Sequence, residues 1–211
     1  MASGSTSDLI RCSLEALELR GHRCPDDALA RLTGLVDLLS EWSTRINLTG
    51  HRSPAAIVEG ILGRALGLST ILAPEGAIVD LGSGAGFPGL PLAILRPGLS
   101  VTLIESRARR HHFQLHATRR LGLTNAFPAL GRAEELEARR HDVAVAQAVG
   151  PPKEVIQLAL PWVRPGGQVV LSGLSELPGT PHGISVSERR SYQLPLSKDE
   201  IPVWVGIRSP D

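Results

Sequence analysis

Between the apolar run Ala77-Ile78-Val79 and the later run Val101-Thr102-Leu103-Ile104-Glu105, the chain carries Asp80-Leu81-Gly82-Ser83-Gly84-Ala85-Gly86-Phe87-Pro88-Gly89. This order predicts a strand, a tight glycine turn that brings backbone close to a ligand, a helix start, a second strand and a carboxylate at that strand's end. Dinucleotide sites space their glycines G-x-G-x-x-G and offer amides and a helix N-terminus to a pyrophosphate. Here the glycines fall at 82, 84 and 86, and Asp80 stands two residues before the first. A carboxylate there repels a pyrophosphate but suits a ligand with positive charge and no phosphate. S-adenosylmethionine, with its sulfonium and ammonium groups, meets that description. Glu105 lies at the distance expected of an acid that takes a ribose diol.

The chain has 211 residues, enough for one ordinary domain with a substantial core. Aromatic residues make up 3%, so a base-stacking site must draw on Trp42, Trp162, Trp204, Phe87, Phe113, Phe127 or Tyr192. A net charge of +1 makes no global case for nucleic acid. Charge distribution matters more, because Arg107, Arg109, Arg110, His111, His112, His116, Arg119 and Arg120 crowd into one stretch. That stretch suits a solvated helix face or a phosphate-facing patch, and composition leaves both open. Cys12 and Cys24 form neither a C-x-x-C pair nor a disulfide framework. With no long apolar span and no signal-peptide order at the N-terminus, the expectation is a cytoplasmic protein without a membrane partner, taken as a monomer.

Ser7-Asp8 is placed to cap a first helix through Leu9, Ile10, Leu14 and Leu17, ending near Gly21. A second helical pattern follows Pro25-Asp26-Asp27 and runs to about Arg45, and Ile46-Asn47-Leu48-Thr49-Gly50 reads as a turn. Pro54 opens a third helical stretch through Ile57, Val58, Ile61, Leu62 and Leu66. Residues 1–70 are therefore expected to form a helical extension packed on a core of residues 71–211. From Ala77 the pattern alternates, with strands expected near 77–81, 100–105, 125–130, 142–147 and 167–172 and helices near 87–95, 107–121, 133–138 and 152–163. This predicts an α/β fold with a mostly parallel sheet covered on both faces. Residues 174–183 read as a loop, and 184–192 and 201–207 as closing strands of antiparallel sense.

In an open parallel sheet, ligands sit beyond the carboxyl ends of the strands where strand order reverses. That rule gathers Asp80 to Gly89, Glu105-Ser106, Gly131 to Glu135 and Gln147 to Pro152 around one crevice. The adenine edge is expected at Gly131-Arg132-Ala133-Glu134-Glu135, which also suits a capped short helix with solvated glutamates. The methyl acceptor is expected near Ala146-Gln147-Ala148-Val149-Gly150-Pro151-Pro152. Amine methylation of bases calls for a polar residue before the prolines and an aromatic after them, and both are missing. His112 and His116 lack a carboxylate or cysteine partner for a metal, so no metal is expected. Ser83 lacks the five-residue frame of a nucleophile elbow.

Trp42 with Arg45-Ile46-Asn47-Leu48-Thr49, the loop from Val79 to Leu92, Leu103-Ile104-Glu105-Ser106, Gly131 to Glu135, and Leu160-Pro161 with Pro165-Gly166-Gly167 resemble a known family. It is that of the bacterial small-subunit ribosomal RNA guanine-N7 methyltransferases, the glucose-inhibited division protein B family. The resemblance spans about residues 35–173. It implies a Rossmann-like class I S-adenosylmethionine-dependent methyltransferase core with a helical N-terminal extension, acting on 16S ribosomal RNA or the small ribosomal subunit. The implied cofactor residues are Asp80, Gly82, Ser83, Gly84, Gly86, Phe87, Glu105, Ser106, Ala133, Glu134 and Gln147, with S-adenosylhomocysteine as product. No catalytic residue is assigned, and Gln147, Ser172 and Asn47 are the acceptor-side candidates. Three departures fall on that side. Gly60 and Gly63 stand where the family has a His-x-x-Asp-like pair. Ala146-Gln147-Ala148 stands in place of Ser-Arg-Ala, and Ser172 in place of a lysine. These leave open a paralogue with a small-metabolite or peptide acceptor, and a homologue that binds cofactor or RNA without turnover.

Overall fold

The computed structural model describes residues 5–147, 150–174 and 178–210. Ala148 and Val149 of the expected acceptor segment, and 175–177 of the expected loop, lie outside them. The first helix, α1 (Thr6–Glu18), starts earlier than the Ser7-Asp8 cap. Ser5 is the cap, because Asp8 stands three residues on and the two side chains satisfy each other's backbone N–H groups. After α2 (Ala28–Ser43), the third stretch is not one continuous helix: α3 (Pro54–Ile57) passes through a π turn (Val58–Leu62) into α4 (Gly63–Leu68). Gly60 sits in that π turn, and a Cβ there would collide with the imidazole of His51.

Next come β1 (Glu75–Leu81), α5 (Gly89–Leu95), β2 (Gly98–Glu105), α6 (Ala108–Arg120), β3 (Ala126–Leu130), β4 (His141–Gln147), α7 (Pro152–Ala159) with a 3-10 turn (Leu160–Trp162), and β5 (Val163–Ser172). The chain closes with β6 (Ile184–Gln193) and β7 (Glu200–Arg208). The strands form one sheet in the order β3-β2-β1-β4-β5-β7-β6, leaving β3 and β6 at the edges. The first five strands are parallel, and β7 runs antiparallel between β5 and β6, as the closing pattern anticipates.

Alternation along the strands splits the core in two. Ile78, Val101, Leu103, Val143, Val145, Val170, Val203 and Val205 face a cluster shared with Ile10, Leu14, Leu32, Leu35, Leu39 and Leu62 of the N-terminal helices and Phe113 of α6. Trp42 of α2 meets Phe113 edge-on, ring centroids 5.6 Å apart. Val79, Leu81, Ile104, Ala144, Ala146, Val169 and Leu171 face the other way, onto Val155, Ile156 and Ala159 of α7 and onto Trp162.

The helix expected near 133–138 is absent, and that segment forms turns. Residues 131–140 alone join the carboxyl end of β3 to the start of β4. So short a stretch gains little from helix formation on its own, and its tertiary contacts outweigh local preference. Leu136 packs against the second cluster, and the Trp162 indole N–H donates to the Ala133 carbonyl, 3.3 Å.

Candidate active site

Strand order reverses between β1 and β4, and the glycine turn leaves β1 at that point. Asp80 is the last charged residue of β1, and its carboxylate accepts the Gly89 N–H at 2.8 Å. This contact ties the start of α5 to the strand and explains Gly89, since a Cβ there would lie 2.9 Å from the Asp80 oxygen and 2.8 Å from Leu103. Burial pushes the Asp80 carboxyl up to about 7, against the lowering by the Gly89 N–H, and the nearby Glu105 adds to the rise.

Between those anchors the loop is held by the ends of its neighbours. Ser83 N–H donates to the Ile104 carbonyl at 3.0 Å, and its hydroxyl donates to the same oxygen at 3.2 Å. Gly84, at φ +58, turns its N–H onto one oxygen of Glu105, 3.0 Å away. The other Glu105 oxygen accepts the Arg107 N–H at 2.8 Å, and Arg110 lies 3.8 Å from the first. From α6, the Gln114 amide donates to the Ser83 hydroxyl and to the Gly84 carbonyl, both at 2.8 Å. Gln114 is wholly buried, and its carbonyl oxygen has no hydrogen-bond partner among the described residues.

A cavity of about 740 Å³ opens beside this loop. Gly82, Ser83, Gly84, Phe87, Glu105, Ser106 and Gln147 line it, so seven of the eleven cofactor residues expected from sequence come together. The other four do not. Asp80 lies beneath the loop, 1% exposed, and its carboxylate braces α5 instead of meeting the cavity. Gly86 faces inward, where a Cβ would collide with the Leu90 side chain, 2.7 Å from its Cγ. Ala133 and Glu134 line a separate, more apolar cavity beside α7, because the missing helix lets their segment fold onto Trp162. Gly131 keeps one link to the site, its N–H donating to the Glu105 carbonyl at 3.1 Å.

The acceptor-side candidates divide similarly. Gln147 lines the cavity, whereas Asn47 is exposed outside it and Ser172 is buried against the Tyr192 hydroxyl, 3.0 Å away. Burial raises the Tyr192 phenol, while the Ser172 hydrogen bond and the charge of Arg64 pull it down. The opposite wall contains four residues that were not among the expected site residues: Thr49 of the Asn-Leu-Thr turn, Ile61, Arg64 and Gly173. Arg64 interrupts the apolar run Ile61-Leu62-Gly63-Arg64-Ala65-Leu66, and Gln114 stands beside Phe113 in the buried stripe of α6. Each was detectable as a polar residue on an apolar face. His116 stacks near Trp42, centroids 5.2 Å apart, and no cluster of three His, Cys, Asp or Glu fit for a metal occurs among the described residues. No described helix is long and apolar enough to cross a membrane.

A sequence profile of the family described as rRNA small subunit methyltransferase G matches residues 28–182. Among curated proteins, Ribosomal RNA small subunit methyltransferase G of Stenotrophomonas maltophilia (strain K279a) is 38% identical over 176 residues, 81% of this chain and 82% of that one. The protein of the same name from Chromohalobacter salexigens is 34% identical over 173 residues, 80% and 82% of the two chains. Among solved structures, M. jannaschii TYW2 in complex with AdoMet aligns with a TM-score of 0.56 at 15% identity, over 78% of each chain. P. horikoshii TYW2 in complex with MeSAdo aligns at 0.53 and 14%, over 75% of this chain and 64% of that one. These two likenesses show the Rossmann-like fold of class I methyltransferases.

Proposed function

The chain belongs to the rRNA small subunit methyltransferase G family, and from that premise we propose that it methylates N7 of a guanine in 16S ribosomal RNA, using S-adenosylmethionine. When bound, that cofactor supplies a methyl carbon made electrophilic by its sulfonium. The observation that carries the reading is Glu105 at the mouth of the glycine turn. Backbone N–H groups of Gly84 and Arg107 fix its two oxygens, and each oxygen retains acceptor capacity for a ribose hydroxyl. The residues present suit the cofactor: a fixed carboxylate for a diol, a glycine turn at its side, and room for a nucleoside with its amino-acid tail.

Guanine N7 has a free lone pair and loses no proton on methylation, so the site needs no general base. Its work is to align N7 with the methyl carbon and to exclude water. Ser83, Gly84, Glu105 and Ser106 hold the donor in this reading. Gln147, at the carboxyl end of β4, borders the acceptor, with Phe87 at the loop's outer turn. Exposed Arg109, His112, Arg119 and Arg120 on α6 continue outward from Arg107 and Arg110, a track suited to RNA phosphates. Residues 1–70 serve as the helical extension of a core at 71–211, and Leu48, Thr49, Ile61 and Arg64 make that extension one wall of the site. We assign the protein to the cytoplasm as a monomer.

The test is a labelled methyl-donor assay on small subunits and on naked 16S RNA from a strain lacking the modification, with the methyl group then mapped. Label at guanine N7 is expected. Tight binding of S-adenosylhomocysteine with no label in either RNA would overturn the guanine reading and point to another acceptor.

A further inference from the structure

Three arginines line the cavity, and they are not equivalent. Arg110 lies 3.8 Å from Glu105 and is already matched to a carboxylate. Arg107 is exposed at the mouth, at the start of α6. Arg64 comes from the far wall, is half-buried on α4, and has no hydrogen-bond or ion-pair partner among the described residues. One of its guanidinium nitrogens lies 4.0 Å from the place a Cβ on Gly173 would take, and Cγ of Gln147 lies 3.9 Å from the same point. Arg64 and Gln147 thus converge over Gly173, which has φ +75 and leaves the space open.

We propose that Arg64 holds the carboxylate of the methionine tail of the donor, with Gln147 beside it. This rests on the S-adenosylmethionine reading given above. Adenine and the amino-acid tail leave the ribose in opposite directions. With the ribose at Glu105, the end of β2, one direction leads toward β3 and the other across the glycine turn toward β4. The second ends at Arg64. A guanidinium is the group best shaped for a carboxylate, since its fork donates two parallel N–H bonds. A half-buried cation without a counterion beside a cavity is also a site that gains from receiving an anion. The helical extension then meets the donor's one negative charge, and Glu105 fixes the ribose at the middle of the molecule.

The experiment is calorimetric binding of S-adenosylhomocysteine and of 5′-methylthioadenosine, which keeps the nucleoside and lacks the amino-acid tail. Wild-type protein, R64Q and R64K are compared. R64Q is expected to bind S-adenosylhomocysteine about 10- to 50-fold more weakly, in line with loss of a charge-assisted hydrogen-bond pair. R64K should fall between, because an ammonium keeps the charge and loses the fork. 5′-Methylthioadenosine should bind all three proteins alike. Equal loss of both ligands in R64Q overturns the proposal, because it marks a general collapse of the wall. Unchanged S-adenosylhomocysteine affinity also overturns it, and a concurrent drop in RNA affinity would assign Arg64 to a phosphate. Wild-type protein that binds neither ligand would overturn the donor reading itself, an outcome distinct from either of these.

Discussion

The two walls of the cavity are built on opposite plans. On the β1–β2 side, Ser83, Gly84, Glu105, Arg107 and Gln114 bond to one another, and Asp80 and Gly89 bond beneath them. On the β4–β5 side, Thr49, Ile61, Arg64, Gln147 and Gly173 arrive from four separated segments. The side chains of Arg64 and Gln147 meet no hydrogen-bonding partner among the described residues. A wall whose polar groups, the Gln114 carbonyl oxygen apart, bond to one another holds its shape before a ligand arrives. A wall whose donors are still free is completed by what binds there, which makes it the place where specificity changes at least structural cost.

The sharpest way to break this contrast is to test whether the first wall is rigid by virtue of its buried acid. Because burial raises Asp80, the folded chain retains a proton that the unfolded chain releases near its ordinary pKa of 3.8. Stability from this source is fully present below that value and is lost as pH rises through about 7. D80N, which cannot ionise, should remove the decline. At about 1.4 kcal/mol per pH unit between the two pKa values, wild-type protein should lose on the order of 4 kcal/mol relative to D80N between pH 4 and pH 8. Urea unfolding of both proteins across that range measures it, and parallel curves would show that Asp80 is ordinary.

Glu105 comes next. E105A removes the acceptor of two backbone N–H groups and of the ribose, so S-adenosylhomocysteine affinity should drop about 100-fold, the scale of lost charged hydrogen bonds. Calorimetry checks it, and an unchanged constant would mean the ribose is held elsewhere. The smallest effect is expected at Q147A. Because the tail carboxylate is assigned to Arg64 and Gln147 is a neutral group beside it, S-adenosylhomocysteine affinity should change less than about threefold. A loss equal to that of E105A would show that the second wall grips the donor no less firmly than the first.

The legibility of the sequence follows the same division. The glycine turn, Glu105 and the strand–helix alternation could be read because their residues lie close in sequence and their spacing reflects backbone geometry. Asp80 stands out by its charge, yet it meets Gly89 and not the cavity, because spacing tells where a residue stands and not which way it faces. The helix predicted at 133–138 had the right composition, but packing of Leu136 on the second cluster and the hydrogen bond from Trp162 to the Ala133 carbonyl overrode local preference. That loss carried Ala133 and Glu134 to another cavity. Arg64 and Gly173 are joined only by the fold, so no window of sequence could pair them.

The sheet's two edges have a consequence for its neighbours. Val101 donates to the Asn125 carbonyl, so Asn125, Phe127 and Ala129 turn their peptide groups toward β2, and Pro128 between them faces outward. Proline has no N–H to offer at that rim. At the opposite rim, β6 carries Glu188, Arg189 and Arg190. Neither border is a good template for an incoming strand, so stacking of copies into fibrils is disfavoured and encounters are left to the loops above the strand ends.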